Sequence, residues 1–441
     1  MSVLESYSET EYLLSNGKGG SCSSTVTGQN TRRYHSVLSV SLNPPVNRRI
    51  LVSRLTEKII NENEYYTFST LKTANGFKEK GYEYIISFEN KTNPVWFFKM
   101  GNFLIKKEIF FIHNKNMTII KYSNISDSPV KLEITPFLND RDIHSNTLPG
   151  QLKIKTEQLT DNSAKFETNF MNNIFVYTNG SISENDYTIH NIFYDVEKER
   201  GLFAYEEIVS KFFITASLQP NENLYISFSC EEVSNHFESH IRNEMKYINS
   251  LYRKEDSEII KKLKITSDHF LSYRKSTGNY TILAGYPWFT DWGRDTMIAF
   301  EGILLSSSRY TEAKEVLETF MKNIKNGLIP NVFDDYSGLP GGYNTADATL
   351  WLFYTLYKYY LYTDDIEYIK DNYEKLTDIL TCHINGTDYN IHMTEDYLLW
   401  TGDENTQLTW MDVKVENWTV TPRYGKAVEI NCLWYNAFKI M

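Results

Sequence analysis

The first half of the chain alternates apolar and polar residues with a period of two, the pattern of a half-buried β-strand. In the run from Val130 to Thr135, valine, leucine and isoleucine alternate with lysine, glutamate and threonine. Other runs rich in β-branched and aromatic residues are separated by Asn, Gly and Ser, as in a series of short strands. These candidate strands cover residues 103–112, 117–122, 174–177, 211–216 and 224–229. The pattern predicts an N-terminal antiparallel β-sandwich.

Near residue 232 the pattern changes to the spacing of amphipathic helices. Residues 235–253 are polar with spaced apolar positions and predict a connecting helix. Further helices are predicted over 257–273, 296–307, 310–325, 346–362 and 366–382, with another from about residue 428. We therefore divide the chain into three parts. They are a β-sandwich domain (1–232), a linker helix (233–255) and a helical domain (256–441).

The connections between these helices alternate in length. Ser308-Arg309 is a short link, whereas 326–345 and 383–427 are long. Such alternation predicts helical hairpins whose long loops gather on one face, where catalytic residues commonly lie. Residues 347–354 are apolar on nearly every side, as expected for an inner helix buried all round. With about six helices, a closed double ring of helices would be about half complete.

The long connections also contain the residues that suggest chemistry. Four segments of the helical half join carboxylates to Trp, Tyr, Arg or Asn side chains, over residues 285–296, 327–347, 398–412 and 420–429 in chain order. Aromatic faces cover the C–H faces of a sugar ring, and carboxylates with arginine bind its hydroxyls. These residues predict a carbohydrate site. The candidate substrate-binding residues are Trp288, Asp291, Trp292, Arg294, Asp295, Asn344, Asp347, Trp410, Arg423, Lys426 and Glu429.

Glycoside hydrolysis requires a carboxylic acid that protonates the departing oxygen and a second carboxylate. Asp412 is the candidate acid, because the adjacent Trp410 and Met411 are apolar and apolar surroundings favour the protonated form of a carboxyl group. Asp412 has a structural alternative as a helix N-cap or as a partner of Lys414.

Several other candidates have structural alternatives too. Asp295 and Asp347 both lie where a helix is predicted to begin, so either residue is also a candidate helix cap. Glu429 is a candidate first-turn residue that interacts with the helix dipole. Trp288 or Trp292 alone would also fit the core of a helical bundle.

Composition narrows the function classes. Aromatic residues make up 15% of the chain, which suits a carbohydrate-binding protein or a large sandwich. A net charge of -11 without a basic stripe argues against nucleic acid as a partner. The four cysteines lack CxxC spacing, which is typical of reduced cytosolic thiols. No signal peptide or membrane span is predicted, so a cytoplasmic location is expected. No motif for a metal or cofactor is present, so none is expected.

The motifs of the helical half resemble the glucosidase region of glycogen debranching enzymes. The matching stretches are Trp292-Gly-Arg-Asp-Thr296, Gly327-Leu-Ile-Pro-Asn331, Tyr343-Asn-Thr-Ala-Asp-Ala-Thr-Leu-Trp351, Leu408-Thr-Trp-Met-Asp412 and Thr421-Pro-Arg-Tyr-Gly-Lys-Ala-Val-Glu-Ile430. The first half resembles the β-domain of the bacterial and archaeal members. There the stretches are Leu14-Ser-Asn-Gly-Lys-Gly-Gly20, Thr27-Gly-Gln-Asn-Thr-Arg-Arg-Tyr-His35 and Pro136-Phe-Leu-Asn-Asp-Arg-Asp142.

This resemblance implies a β-sandwich joined to an (α/α)6 toroid, of which about the first half is present. It implies amylo-α-1,6-glucosidase activity on the glucose branch stubs of glycogen or a branched α-glucan, by inversion and without a cofactor. Asp412 matches the family's general acid. Arg294 and Asp295 match contacts to the terminal sugar in related toroid glucosidases.

In this family the general base lies in the last part of the toroid. We therefore expect the chain to lack the base and to be C-terminally incomplete. Two alternative functions are a glucoamylase- or trehalase-like toroid glycosidase and a non-catalytic glycan-binding fragment.

Overall fold

The computed structural model describes residues 10–61 and 64–441 and divides into two compact units. The first unit ends at Ile265, and the second runs from Thr266 to Met441 and includes the turn Asn43–Val46. The strands of the first unit are β1 (Glu11–Ser15), β2 (Ser21–Thr25), β3 (Ser36–Asn43), β4 (Val46–Asn61), β5 (Glu64–Thr67), β6 (Thr70–Thr73), β7 (Gly76–Lys80), β8 (Ile85–Asn90), β9 (Pro94–Met100), β10 (Phe103–Phe111), β11 (Met117–Asn124), β12 (Val130–Asp142), β13 (Ile154–Thr160), β14 (Ser163–Thr168), β15 (Asn173–Thr178), β16 (Ser181–Phe193), β17 (Tyr205–Leu218) and β18 (Asn223–Ser229).

These strands form two sheets within the described residues. The first has the order β1-β2-β3-β4-β12-β17-β16-β6-β7, with β5 also paired to β4, and the second has the order β13-β14-β15-β18-β11-β10-β9-β8. Pairing is antiparallel, with Val130 of β12 opposite Leu218 of β17, for example. The antiparallel β-structure predicted for the first half is confirmed.

Both sheets contribute to one hydrophobic core. Ile134 of the first sheet belongs to the same buried cluster as Ile120 and Phe228 of the second. The period-two pattern explains this packing, because alternate residues of a strand point to opposite faces. In β12, Leu132 and Ile134 are fully buried, whereas the intervening Glu133 is partly exposed.

The described helices follow the predicted order, except for the first of them, which was not predicted. They are α1 (Asp195–Glu199), α2 (Phe237–Ser250), α3 (Glu258–Phe270), α4 (Gly293–Phe300), α5 (Tyr310–Met321), α6 (Asp347–Thr363), α7 (Ile366–Asn385) and α8 (Val428–Ile440). Short antiparallel strand pairs occur between them. They are β19 (Leu271–Arg274) with β20 (Asn279–Ile282), β21 (Val332–Phe333) with β22 (Pro340–Gly342), β23 (His392–Met393) with β24 (Leu399–Trp400), and β25 (Lys414–Val415) with β26 (Trp418–Thr419).

Helix α6 is the central helix of the second unit and packs against α4 and α8. Its first half is almost wholly buried, including Leu352 and Phe353, whereas Tyr357 and Leu361 are exposed. The apolar pattern therefore correctly predicted a helix whose first half is buried, whereas its second half is not buried all round. Among the helices of the described ranges, none combines the length and the apolar character needed to cross a lipid bilayer.

Helix α4 begins three residues earlier than its apolar pattern predicts. Trp292 has an extended backbone, and the helix starts at Gly293 and continues into a π-helical turn over Glu301–Leu305. Arg294 and Asp295 therefore lie in the first helical turn and not in the preceding loop. A helix fixes the direction of a side chain more firmly than a loop does, which matters for the site described next.

Candidate active site

Arg294 connects the candidate residues of the second unit. Its Nε donates a hydrogen bond to Asp347 Oδ2 at 2.7 Å, and its Nη1 donates to Asp412 Oδ2 at 3.0 Å. Its Nη2 donates to the Thr409 carbonyl oxygen at 2.9 Å. Residues that lie 53 and 118 positions away in the chain therefore meet at one guanidinium group. We call Arg294, Asp347, Thr409 and Asp412 the Arg294 cluster.

Gly293 explains how Arg294 is positioned. Its N–H donates to the Asn331 carbonyl at 2.9 Å, and Trp292 forms a β-bridge with Val332. A Cβ atom on Gly293 would lie 2.4 Å from the Pro330 carbonyl oxygen, closer than such atoms normally approach. Glycine is thus required here because the start of α4 lies directly against the backbone of residues 329–331.

The four predicted loop segments are linked to one another by backbone hydrogen bonds. The second segment joins the third where Ala346 N–H donates to the Leu408 carbonyl at 2.8 Å. The third joins the fourth through a two-way bridge between Thr401 and Gly425, at 3.0 and 2.8 Å. Together with the Gly293–Asn331 bond, these contacts support the expectation that the long connections gather in one region of this unit.

Asp347 is the most buried carboxylate of the cluster, with 3% of its surface exposed. One oxygen accepts from Arg294 and the other accepts from Thr345 Oγ1 at 2.8 Å. Burial alone would lower the pKa of Arg294, but the hydrogen bonds and negative charges of Asp347 and Asp412 outweigh burial and raise it. Arg294 is therefore a permanent cation that holds both carboxylates.

Asp295 lies near the Arg294 cluster, and burial of its carboxyl group raises its pKa. Its side chain is exposed at the surface, but neighbouring residues crowd the carboxyl group. This partial desolvation raises the pKa of Asp295, helped by the negative charges of Asp412 and Asp347 and opposed by Arg294. Carboxyl groups with a perturbed pKa are common at catalytic sites and also occur in structural ion-pair networks.

Asp412 does not lie in the apolar surroundings that its neighbours in sequence suggested. Trp410 is 56% exposed, and Asp412 itself pairs with the guanidinium of Arg294. The prediction of an apolar environment was wrong because the guanidinium group of Arg294 lies beside this carboxylate. Asp412 nevertheless lies in the cluster, with 29% of its side chain exposed.

Asp291 is not available to a ligand, which corrects its prediction as a sugar contact. It is fully buried, and its oxygens accept hydrogen bonds from Arg274 Nε at 2.7 Å, from Arg274 Nη2 and from Thr281 Oγ1 at 2.8 Å. The guanidinium of Arg274 also lies 4.2 Å from the centre of the Phe333 ring. The ion pair between Arg274 and Asp291 anchors the segment before α4 and has a structural role.

The aromatic candidates differ in exposure. Trp288 and Trp292 are half-buried, and Trp292 packs edge-to-face on Phe289 with 6.0 Å between ring centres. Trp410 is exposed, as is Trp418, which was not singled out from the sequence. The exposed indole rings offer apolar faces to solvent, as stacking platforms for sugars do.

The remaining candidates are held by partners outside the Arg294 cluster. Arg423 and Glu429 form a two-pronged ion pair at 2.5 and 2.7 Å. Lys426 donates to Asp396 Oδ2 at 2.7 Å, so its expected position beside a ligand has no support. Asn344 is half-buried, and its Oδ1 accepts a long 3.5 Å hydrogen bond from Asn331.

Sequence reasoning missed three residues that shape the site. Thr345 orients Asp347, Thr409 supplies a carbonyl oxygen to Arg294, and Arg274 neutralises Asp291. A Thr two residues before an Asp at a helix start is a recognisable signal. The role of Arg274 has no such signal in the sequence. Arg274 pairs with Asp291, which lies 17 positions away, and the β19–β20 hairpin brings the two residues together.

Comparisons with known proteins identify the family of the chain. The family model described as glycogen debranching enzyme N terminal matches residues 10–225, and the model described as amylo-alpha-1,6-glucosidase matches residues 265–441. The chain belongs to the glycogen debranching enzyme family. Both halves of the resemblance inferred from the motifs are thereby confirmed.

The chain spans only part of the length of the characterised proteins and known structures that it matches. The glycogen debranching enzyme of Saccharomyces cerevisiae is 28% identical over 249 residues, which cover 41% of this chain and 16% of the yeast protein. A human-microbiome protein assigned as a kojibiose phosphorylase has a similar fold, with a TM-score of 0.51 and 12% identity over 97% of this chain and 62% of that chain. A bacterial glucoamylase complexed with acarbose aligns at a TM-score of 0.47 and 14% identity, covering 90% of this chain and 60% of that chain.

Proposed function

We propose that this debranching-family chain contributes to a glycoside hydrolase that removes α-1,6-linked glucose stubs from glycogen or a related branched α-glucan. The observation that carries the proposal is the convergence of Asp347, Asp412 and the Thr409 carbonyl on Arg294. A clamp of this kind presents fixed donors and acceptors, which suits a terminal glucose with several hydroxyl groups.

The proposed arrangement of the second unit is about the first half of an (α/α)6 toroid. Helix α6 is the inner helix, and its N-terminal end carries Asp347. The four long connections would form the rim of the sugar site. The solved structure with a TM-score of 0.51 supports a shared fold and does not define the substrate.

In the proposed mechanism Asp412 protonates the departing glycosidic oxygen, and Arg294 and Asp295 bind hydroxyls of the terminal sugar. An inverting reaction also needs a carboxylate base that activates water. We place that base outside the Arg294 cluster, because Asp347 is buried and already bonded to Arg294 and Thr345. The raised pKa of Asp295 makes it the alternative acid.

The test replaces each carboxylate in the full-length protein and varies the leaving group. Asp412→Asn is expected to lower kcat on an α-1,6-branched oligosaccharide by about 10²–10⁴-fold, as loss of a general acid does. The same variant should lose far less activity on α-glucosyl fluoride, because fluoride departs without protonation. Asp295→Asn should raise KM and lower both activities alike.

Each outcome decides between assignments. If Asp295→Asn instead shows the selective rescue by α-glucosyl fluoride, Asp295 is the acid and Asp412 is a positioning residue. If the full-length protein releases glucose from α-1,4 or α,α-1,1 linkages and not from α-1,6 stubs, a glucoamylase- or trehalase-like activity replaces the proposal. Glycogen binding without any glucose release would favour a non-catalytic role.

A further inference from the structure

An open cavity of about 1000 Å³ lies on the outer face of the first sheet in the first unit. Strands β4, β5, β6, β7, β12, β16 and β17 all contribute residues to it. In β12, Glu133 and Thr135 line this cavity, whereas Leu132 and Ile134 point into the sandwich core. The cavity is thus a surface feature that core packing does not require.

Two tyrosines in this cavity are unusually exposed. Tyr65 is 62% exposed and Tyr187 is 55% exposed. The Tyr187 ring packs edge-to-face against Phe137, which is buried, with 6.1 Å between ring centres. Tyr187 is therefore held in place while much of its surface stays in contact with solvent. An ordered, exposed aromatic ring is a ready surface for an amphipathic ligand.

Most charged groups of the cavity are paired with one another or with adjacent residues. Lys58 donates to Glu133 at 3.1 Å, and Arg54 donates to Glu79 at 2.6 Å. His190 is bonded to Glu207 at 2.6 Å. Lys78, on β7, adds one further positive charge. These pairings leave the cavity without a strong field of either sign, which argues against a highly charged ligand.

The rest of the polar lining consists of neutral hydroxyl and amide side chains. They are Thr56, Thr67, Thr73, Thr135, Thr188, Asn75, Asn185 and Asn191. Hydroxyl and amide groups both donate and accept hydrogen bonds. A ligand that matches them is neutral, carries many hydroxyl groups and has apolar faces for the tyrosine rings. A sugar chain has all three properties.

We propose that this cavity is a second carbohydrate-binding site that holds a segment of an α-glucan chain. The volume lies at the upper end of the roughly 300–1,000 Å³ typical of ligand pockets, so the site accommodates more than one sugar unit. The choice of an α-glucan among neutral glycans rests on the proposed function. Binding a polymer at a second site raises its effective concentration at the first.

The experiment measures how strongly glycogen slows the migration of the 441-residue chain in native gels that contain increasing amounts of glycogen. Tyr187→Ala and Tyr65→Ala are each expected to raise the apparent Kd about tenfold, equivalent to about 1.4 kcal/mol. Tyr187→Phe keeps the ring and should bind nearly as well as the wild type. Phe203→Ala is the matched control, since Phe203 is also 55% exposed in the same unit but does not line the cavity.

A fifth variant, Arg294→Met, separates this inference from the proposed function. It should retain the tyrosine-dependent binding of glycogen, and the tyrosine variants should retain wild-type turnover of a short oligosaccharide in the full-length protein. The inference is overturned if wild-type protein does not bind glycogen, or if both alanine variants bind it as tightly as the wild type. Thermal unfolding of every variant shows whether a lost interaction reflects misfolding. Should Tyr187→Ala not fold, Tyr65→Ala and Tyr187→Phe still decide the question.

Discussion

Replacing Arg294 by methionine is the most informative perturbation of the helical unit. Methionine keeps much of the length of the arginine stem but removes all five N–H donors. The change deprives Asp347, Asp412 and the Thr409 carbonyl of one shared partner. It therefore tests whether Arg294 holds this part of the fold together.

The expected loss of stability follows from burial. The Asp347 side chain is 4% exposed and that of Arg294 is 12% exposed, so the variant leaves a carboxylate almost wholly buried without its cation. Removing one partner of a buried ion pair costs about 3–5 kcal/mol. Asp412 adds little because 29% of its side chain is exposed to water. We expect a loss of about 3 kcal/mol.

Urea and thermal unfolding followed by tryptophan fluorescence measure this loss. Every tryptophan except Trp96 lies in the second unit, so the signal reports mainly on that unit. For a domain of its size, 1 kcal/mol shifts Tm by about 2–4 °C, so a decrease of roughly 6–12 °C is expected. The double variant Arg294→Met with Asp347→Asn should recover part of the loss, because it no longer buries an unpaired charge.

Arg423→Met is the matched control for this experiment. Arg423 also pairs with a carboxylate, but 25% of its side chain and 29% of that of Glu429 are exposed. This change should cost no more than about 1 kcal/mol. Equal losses in the Arg294 and Arg423 variants would refute the argument from burial, and so would the absence of any recovery in the double variant.

Two further predictions concern stability. Gly293→Ala should destabilise the second unit by about 1–3 kcal/mol and reduce turnover of the full-length protein, because the added methyl would meet the Pro330 carbonyl. Gly302→Ala is the control. Its added methyl would point into open space, so this variant should lose no stability. Burial lowers the pKa of His383 to about 4 from its ordinary value of 6.5, so the unfolded chain binds the proton more tightly. Stability should therefore fall as the pH drops from about 6.5 toward 4, by about 2 kcal/mol at pH 5, and unfolding curves of His383→Phe should lack this part of the pH dependence. If the stability of His383→Phe depends on pH as that of the wild type does, His383 is not the source of this pH dependence.

Local patterns predicted seven of the described helices and six of the described strands, and the remaining strands were not predicted. Alternation along residues 130–135 depends on the pleat of a strand, and that run lies in β12. The apolar sequence at the start of α6 likewise predicted a buried helical segment. Its partner α4 began earlier than predicted, because Gly293 and Arg294 carry no apolar signal and their conformation depends on the contact with residues 329–331.

Some contacts among the candidate residues could be predicted from the sequence, whereas their role in a site stays a prediction. Arg294, Asp347 and Asp412 do meet, as the spacing of motifs along four connections suggested. The burial of Asp291 was not predictable, because it depends on Arg274, which the chain brings close only through a hairpin. The surroundings of Asp412 were also misjudged, since sequence neighbours do not fix which side chains touch across a loop.

The three hydrogen bonds of Arg294 have an evolutionary consequence. They use three of its five N–H groups to fasten separate stretches of chain, and the same fork is the group proposed to grip the sugar. Selection for a different substrate therefore cannot readily exchange this arginine, since any replacement would first loosen the scaffold. Changes in specificity should instead accumulate at exposed positions of the rim, such as Trp410 and Trp418, where a new side chain alters the fit without weakening the protein.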